Sequence, residues 1–229
     1  MRALSTAKLH VKRLLIFFTD VTSGNAGKFA RKRIGFDFPH RLELSQEIKP
    51  SETLANKLHN IRLVSDKIQH VILLPDEILS FWKVIGNPEK ILKKSRSIVN
   101  GKLRNEAGGG ICQVSGIVYH LSLIAGLEIV ERHNHSLDIY TDETRFAPLG
   151  SDATLVFGYK DLRIRNNFDF ALKFEFVVSD TRIICRLFFE NLVLPRELDF
   201  SLTESEGKIE VGISFDGSFI SCSSYLKMS

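Results

Sequence analysis

The chain of 229 residues reads as an α+β protein, with a cysteine-bearing helix packed on a mostly antiparallel β-sheet and a β-rich C-terminal part. Three observations predict this. After Gly108-Gly109-Gly110, the apolar residues Val114, Ile117, Val118, Leu121, Ile124 and Ala125 recur at helical spacing until Gly126. Beyond residue 155, apolar and polar residues alternate, as in Leu172, Phe174, Phe176 and Val178. The dipeptides Asn100-Gly101 and Asp216-Gly217 mark hairpin turns. A hydrophobic content of 44% against 25% charged residues can sustain a core.

Residues 1–50 are mixed, basic and weakly periodic, and are expected to form an N-terminal arm. A short helix is expected to include Lys28-Phe29-Ala30-Arg31-Lys32-Arg33. The arm carries ten Lys or Arg and four Asp or Glu, a net of +6 in a chain of net charge +4, so the other 179 residues are at −2. Such an arm suits weak contact with an anionic membrane surface. No zinc finger or RNA-binding aromatic motif occurs, so nucleic acid is not an expected partner. No run approaches the ~20 apolar residues of a membrane-spanning helix. The apolar core Leu14-Leu15-Ile16-Phe17-Phe18 is shorter than the ~7–15 residues of a signal peptide, and no small-residue cleavage site follows. The chain therefore reads as cytoplasmic.

Pro50-Ser51-Glu52-Thr53 resembles a helix start with Ser51 as N-cap, followed by Leu54, Leu58, Ile61 and Val64 at helical spacing. That helix should end near Lys67. His70-Val71-Ile72-Leu73-Leu74 reads as a strand, Pro75-Asp76-Glu77 as a turn, and Ile78-Leu79-Ser80-Phe81-Trp82 as a second strand. Residues 86–96 read as loop or short helix. Ser97-Ile98-Val99 and Lys102-Leu103-Arg104 flank the Asn100-Gly101 turn. After the cysteine helix, residues 127–132 alternate as a strand leading into His133 and His135. Leu155-Val156-Phe157 opens the β-rich part. Residues 162–164, 172–178 and 182–188 continue it, and a last hairpin spans 208–222.

The chemistry centres on Cys112. Glycines 108 to 110 free the backbone to turn sharply, which puts the thiol at a helix N-terminus where dipole and unpaired N–H groups favour thiolate. A nucleophilic cysteine needs a base, a group that orients the base, and an oxyanion hole. His133 and His135 lie two residues apart and share a face if their segment is extended. Either could be the base. Asp152 is a candidate orienter, alongside Asp138 and Asp161. The N–H groups of Gly109, Gly110, Ile111 or Cys112 itself could line the oxyanion hole. Arg132 suits a substrate carboxylate, and Gln113 and Ser136 join it as candidate substrate-binding residues.

Cys112, His133 and His135 are also three plausible zinc ligands with an open fourth position. No Cys-x-x-Cys or His-Glu-x-x-His motif supports that reading, so no metal or cofactor is expected. The three cysteines imply no disulfide framework. A bridge between Cys185 and Cys222 is conceivable, but free buried thiols are the expectation.

Several strings together resemble the VanW family. They are Gly108-Gly109-Gly110-Ile111-Cys112-Gln113, Glu131-Arg132-His133-Asn134-His135-Ser136, Gly150-Ser151-Asp152-Ala153-Thr154 and Gly158-Tyr159-Lys160-Asp161-Leu162. Ile78-Leu79-Ser80-Phe81-Trp82-Lys83 looks like that family's x-x-Phe-Ser-Phe-Trp-Lys segment, with leucine at its first phenylalanine position. The resemblance divides the chain into a basic arm (1–50), a VanW-like domain (51–190) and a C-terminal β-hairpin extension (191–229). It implies a role in cell-wall (peptidoglycan) metabolism or glycopeptide resistance. Some larger, exported members look like cysteine L,D-transpeptidases. The resemblance therefore implies cysteine-dependent acyl transfer or hydrolysis on a peptide-like substrate or peptidoglycan precursor, with Cys112 as nucleophile. A non-catalytic module that binds a peptide or wall precursor, and a zinc-dependent hydrolase, are the competing readings.

Overall fold

The computed structural model describes residues 2–33, 35–99, 102–138, 145 and 147–227, so the expected Asn100-Gly101 turn lies outside the described residues. The chain runs through α1 (Arg2–Thr22), β1 (Arg31–Lys32), β2 (His40–Glu47), α2 (Leu54–Gln69), β3 (Val71–Leu73) and β4 (Ile78–Ser80). It continues through α3 (Phe81–Ile85), α4 (Pro88–Ile91), β5 (Lys94–Val99), β6 (Lys102–Ala107), α5 (Ile111–Ala125), β7 (Glu128–Glu131) and β8 (Leu137–Asp138). The last elements are β9 (Arg163–Arg165), β10 (Leu172–Val178), β11 (Arg182–Phe189), β12 (Asp199–Ser205), β13 (Lys208–Phe215) and β14 (Ser218–Lys227). This is an α+β fold, and its strand pairings are antiparallel except β8 with β14.

A five-stranded sheet, ordered β1-β3-β10-β11-β2, forms the platform. Helix α2 lies against β10, and α5 lies against β2 and β11 beside α2. The alternation that predicts β10 and β11 puts Phe174, Ile183, Cys185, Leu187 and Phe189 into the core, each fully buried. Ile61, Val64 and Ile68 of α2 and Val114, Ile117 and Val118 of α5 meet them there. Each such side chain contributes roughly 1.5–3 kcal/mol by leaving water. A second sheet, β12-β13-β14-β8, contains the expected 208–222 hairpin together with β12, and it takes in β8 from the segment just after His135. The short β4-β9-β7 sheet and the β5–β6 pair complete the set.

Four expectations are corrected. The stretch around Lys28, expected to be helical, contributes β1 instead, within an N-terminal segment that also holds α1 and the platform's edge strand β2. The N-cap of α2 is Thr53 rather than Ser51, and the Thr53 hydroxyl pairs with Ser95 at 2.9 Å. The strand at Ile78 stops at Ser80, whose hydroxyl accepts from the Lys83 N–H and starts α3, so Phe81 and Trp82 are helical. Leu155-Val156-Phe157 forms no strand beyond a single bridge from Val156 to Lys160. All three cysteines are free: Cys185 is buried in the platform core, Cys222 is exposed on β14 and Cys112 is half-buried.

Helix α5 begins and ends on glycines in left-handed geometry, Gly110 at φ 96° and Gly126 at φ 80°. A Cβ at Gly110 would lie 2.8 Å from Lys57 Cγ and 3.2 Å from Lys57 O, so the glycine permits the turn and the close seat against α2. The Asn60 side chain ties this turn down by donating to Gly109 O at 3.0 Å.

Candidate active site

Cys112 occupies the first turn of α5, at the positive end of the helix dipole. Two small residues one turn further along, Ser115 and Gly116, let a loop press onto the helix. Ser115 Oγ donates to Ala153 O at 2.6 Å, and a Cβ at Gly116 would sit 3.7 Å from Asp152 Cα. That loop brings Asp152, Thr154 and Leu155 to the thiol. The segment after β7 runs alongside it, with Thr154 N donating to His133 O at 2.7 Å, and delivers His135.

The His135 ring bridges two partners. Its Nδ1 lies 2.5 Å from Asp152 Oδ2, and its backbone N–H donates to the same oxygen at 2.7 Å. The Cys112 thiol is the ring's other electrostatic partner, and each shifts the proton affinity of the other. The Leu155 backbone and the Thr154 side chain favour the anionic form of the same sulfur. Thiol, imidazole and carboxylate thus form one electrostatically coupled set.

The electrostatics follow from that geometry. Burial by itself raises the Cys112 thiol. The His135 hydrogen bond and charge, the Leu155 N–H and the Thr154 hydroxyl outweigh it and bring the thiol below its ordinary value. Burial likewise disfavours a charged His135, but Asp152 and Cys112 reverse this and raise the imidazole to about 10. Asp152 is pushed up by burial and pulled down more strongly by His135, Arg132 and the Tyr225 hydroxyl, to about 2. These mutual shifts favour the thiolate and the imidazolium together.

Asp152 is held from its other side. Arg132 Nη2 lies 3.0 Å from Asp152 Oδ1, and the Tyr225 hydroxyl donates to the same oxygen. Arg132 Nε donates to Asp152 O at 2.8 Å, Nη2 to Gly150 O at 2.7 Å and Nη1 to Ser223 Oγ at 2.5 Å. Its guanidinium covers the Tyr119 ring of α5 at 4.7 Å and is 7% exposed. Arg132, expected at a substrate carboxylate, is thus turned inward with its donors spent on the Asp152 loop.

The other candidates are distributed as follows. His133 does not share the thiol: β7 ends at Glu131, and His133 Nε2 pairs with Glu131 Oε1 at 3.0 Å. Gln113 is buried, with Nε2 donating to Glu47 O at 2.7 Å. Ser136 is exposed, and its carbonyl accepts from Leu226 N at 2.9 Å. Ile111 N–H closes the glycine turn onto Gly108 O at 3.1 Å. Of the alternative orienters, Asp161 accepts from Ser80 at 2.5 Å and Asp138 pairs with Arg145 at 2.8 Å. Cys112, His133 and His135 do not converge, and among the described residues no three His, Cys, Asp or Glu side chains are grouped to hold a metal ion. The zinc arrangement is therefore not assembled.

Four contributors were not singled out from sequence. Thr154 and Leu155 sit at the end of the Gly150-Ser151-Asp152-Ala153-Thr154 string, so their neighbourhood was visible. Tyr225 and Ser223 come from β14, where a Ser-rich strand carries no local signal for a partner 73 residues upstream.

A family model described as VanW like protein matches residues 56–188, more than half of the chain. The Vancomycin B-type resistance protein VanW of Enterococcus faecalis (strain ATCC 700802 / V583) is 30% identical over 135 residues, covering 58% of this chain and 49% of that protein. The uncharacterized protein YoaR of Bacillus subtilis (strain 168) is 36% identical over 116 residues, covering 50% of this chain and 37% of that protein. The chain thus spans half or less of the length of these curated relatives. No solved structure is significantly similar. The chain belongs to the VanW family.

Proposed function

We propose that this VanW-family chain is a cysteine acyltransferase or hydrolase acting on a peptide-like substrate. Its biological setting is cell-wall metabolism or glycopeptide resistance, which the name of the E. faecalis relative suggests. The observation that carries the reading is the His135–Asp152 hydrogen bond together with the electrostatic coupling of His135 to Cys112, which lowers the thiol and raises the imidazole.

In this reading the Cys112 thiolate attacks a peptide carbonyl carbon and forms a C–S bond. His135, protonated at rest, gives its proton to the leaving amine as the C–N bond breaks, leaving a thioester. Water or an acceptor amine then attacks the thioester while His135 Nε2 takes its proton, and Cys112 departs as thiolate. Asp152 holds the ring through Nδ1 and stabilises its positive charge. The Leu155 backbone and the Thr154 side chain favour the anionic form of the sulfur.

The test is to incubate the protein with a peptidoglycan stem peptide, quench in acid and weigh the intact chain. A thioester-sized mass increase on Cys112, absent in Cys112→Ala and accumulating in His135→Ala only slowly, supports the proposal. A thiol that alkylates no faster than Cys222 and forms no adduct leaves the non-catalytic binding module as the better account.

A further inference from the structure

Helix α1 is amphipathic the wrong way round for a helix belonging only to a soluble core. Ile16 and Asp20 face the body, where Asp20 is bonded to Arg163 at 2.5 Å. Its outer face carries Val11, Leu14, Leu15, Phe18 and Val21 at i, i+3, i+4, i+7 spacing, each 49–60% exposed. Phe17 beside them is 56% exposed and meets Phe18 edge-on at 6.1 Å. A stripe of this size left in water is an interaction surface.

Charge identifies what covers it. The helix contains Arg2, Lys8, Lys12 and Arg13, and its one acid, Asp20, is buried against Arg163. No carboxylate on the outer helix offsets the cations. Lys12 and Arg13 extend over the Tyr159 and Phe157 rings, at 3.4 and 5.9 Å, so the cations flank the apolar stripe rather than interrupt it. A second copy of the helix would bring cations against cations. A surface of anionic lipid complements both features: acyl chains take the apolar stripe and headgroups take the Lys and Arg ends. Among the described residues no helix is long and apolar enough to cross a membrane, which fits a helix lying in the interface plane.

We propose that the outer face of α1 docks on an anionic lipid bilayer, with Val11, Leu14, Leu15, Phe18 and Val21 inserted below the headgroups. This rests on α1 alone and is independent of the chemistry at Cys112.

The test is flotation of the full chain with vesicles of phosphatidylcholine alone or of an equimolar phosphatidylglycerol–phosphatidylcholine mixture. Binding to the mixed vesicles should be at least about tenfold tighter and should weaken with added salt. The double substitution Leu14→Glu with Phe18→Glu should abolish it while leaving the circular dichroism spectrum and the alkylation rate of Cys112 unchanged. Equal binding to both vesicle types, or undiminished binding of the double variant, would overturn the proposal. So would a self-associated species in sedimentation velocity that the double variant dissociates, because the stripe would then be covered by a second copy.

Discussion

The Tyr225 hydroxyl donates to Asp152 Oδ1, so the last strand of the chain grips the carboxylate that orients His135. Tyr225 lies outside the segment 56–188 matched by the family model. The C-terminal sheet therefore contributes directly to the candidate site, through Tyr225 on Asp152 and Ser223 on Arg132. Burial and the Asp152 charge both raise the phenol, which keeps it protonated and able to donate. Tyr225→Phe removes one donor and leaves Arg132 in place. It should cost about 0.5–1.5 kcal/mol of stability in urea titration. It should also move the pH profile of Cys112 alkylation upward, because Asp152 then holds the imidazolium less firmly. A stability loss with an unmoved profile would assign Tyr225 to packing alone.

Cys112 should be the fast thiol. With His135 lowering it, alkylation by iodoacetamide should stay rapid well below the ordinary thiol value of about 8.5. Cys222, exposed on β14, serves as the reference thiol, and Cys185, raised by burial in the core, should label only on unfolding. His135→Ala removes the imidazolium and should slow Cys112 at neutral pH by about tenfold or more, since an ordinary thiol is only a few per cent thiolate there. Peptide mapping of labelled cysteines reads all three rates; a Cys112 rate equal to that of Cys222 would contradict the ion pair.

How far this site was legible in the sequence depends on what holds each part. Cys112 was readable because its helix is delimited by Gly110 and Gly126, whose left-handed geometry leaves a local mark. His135 and Asp152 lay in recognisable strings, yet nothing in spacing could separate His135 from His133, because the strand ends at Glu131 and the two rings take different carboxylates. Strand β2 was hidden for a chemical reason: Leu42 and Leu44 point inward but the next inward residue is the polar Gln46, which breaks the apolar alternation. Helix α1 was hidden because its apolar stripe lies on the exposed face, among basic residues that read as a weakly periodic arm.

The ion pair also predicts a pH dependence of stability. Asp152, lowered to about 2 in the fold, contributes stability that is present above its unfolded value near 3.9 and is lost as pH falls through about 2. His135, raised to about 10, contributes stability that is present below its unfolded value near 6.5 and is lost as pH rises through about 10. Both contributions are complete between about pH 4 and 6.5. In that window Asp152→Asn should lower the unfolding free energy by roughly 2–3 kcal/mol. The gap between the variant and the natural chain should narrow towards pH 2 and again towards pH 10. Denaturant titrations across this range check it, and a gap independent of pH would exclude the charged pair.

Gly110 tests the glycine turn. Its φ of 96° and the 2.8 Å that would separate a Cβ from Lys57 Cγ make any side chain both strained and crowded. Gly110→Ala should cost about 1–3 kcal/mol and, by shifting the first turn of α5, should slow Cys112 alkylation. Gly27→Ala, where a Cβ meets nothing within 4 Å, serves as the control and should change neither.

Arg163 connects α1 to the body of the protein through a cluster of carboxylates. Its side chain, 9% exposed, faces Asp20 at 2.5 Å, Glu131 at 3.1 Å and Asp161 at 3.3 Å. Three carboxylates around one guanidinium cannot all stay charged without it. Burial already raises Asp161, whereas Glu131 is kept low against its own burial by His133, the Asp161 N–H and Arg163. Arg163→Met removes the only cation bonded to Asp20 in this network and leaves buried like charges facing one another. The expected cost is about 3–5 kcal/mol at neutral pH. Acid should relieve it, because protonating the carboxylates removes the repulsion, so the variant should recover relative to the natural chain as pH falls towards about 4. Asp20→Asn in the Arg163→Met background should restore part of the loss at neutral pH by removing one of the three charges. Because Asp20 is also the residue that seats α1, protease cleavage within residues 2–22 should accelerate in Arg163→Met before the rest of the chain unfolds. Global unfolding that accounts for all cleavage would show instead that α1 and the body melt as one unit.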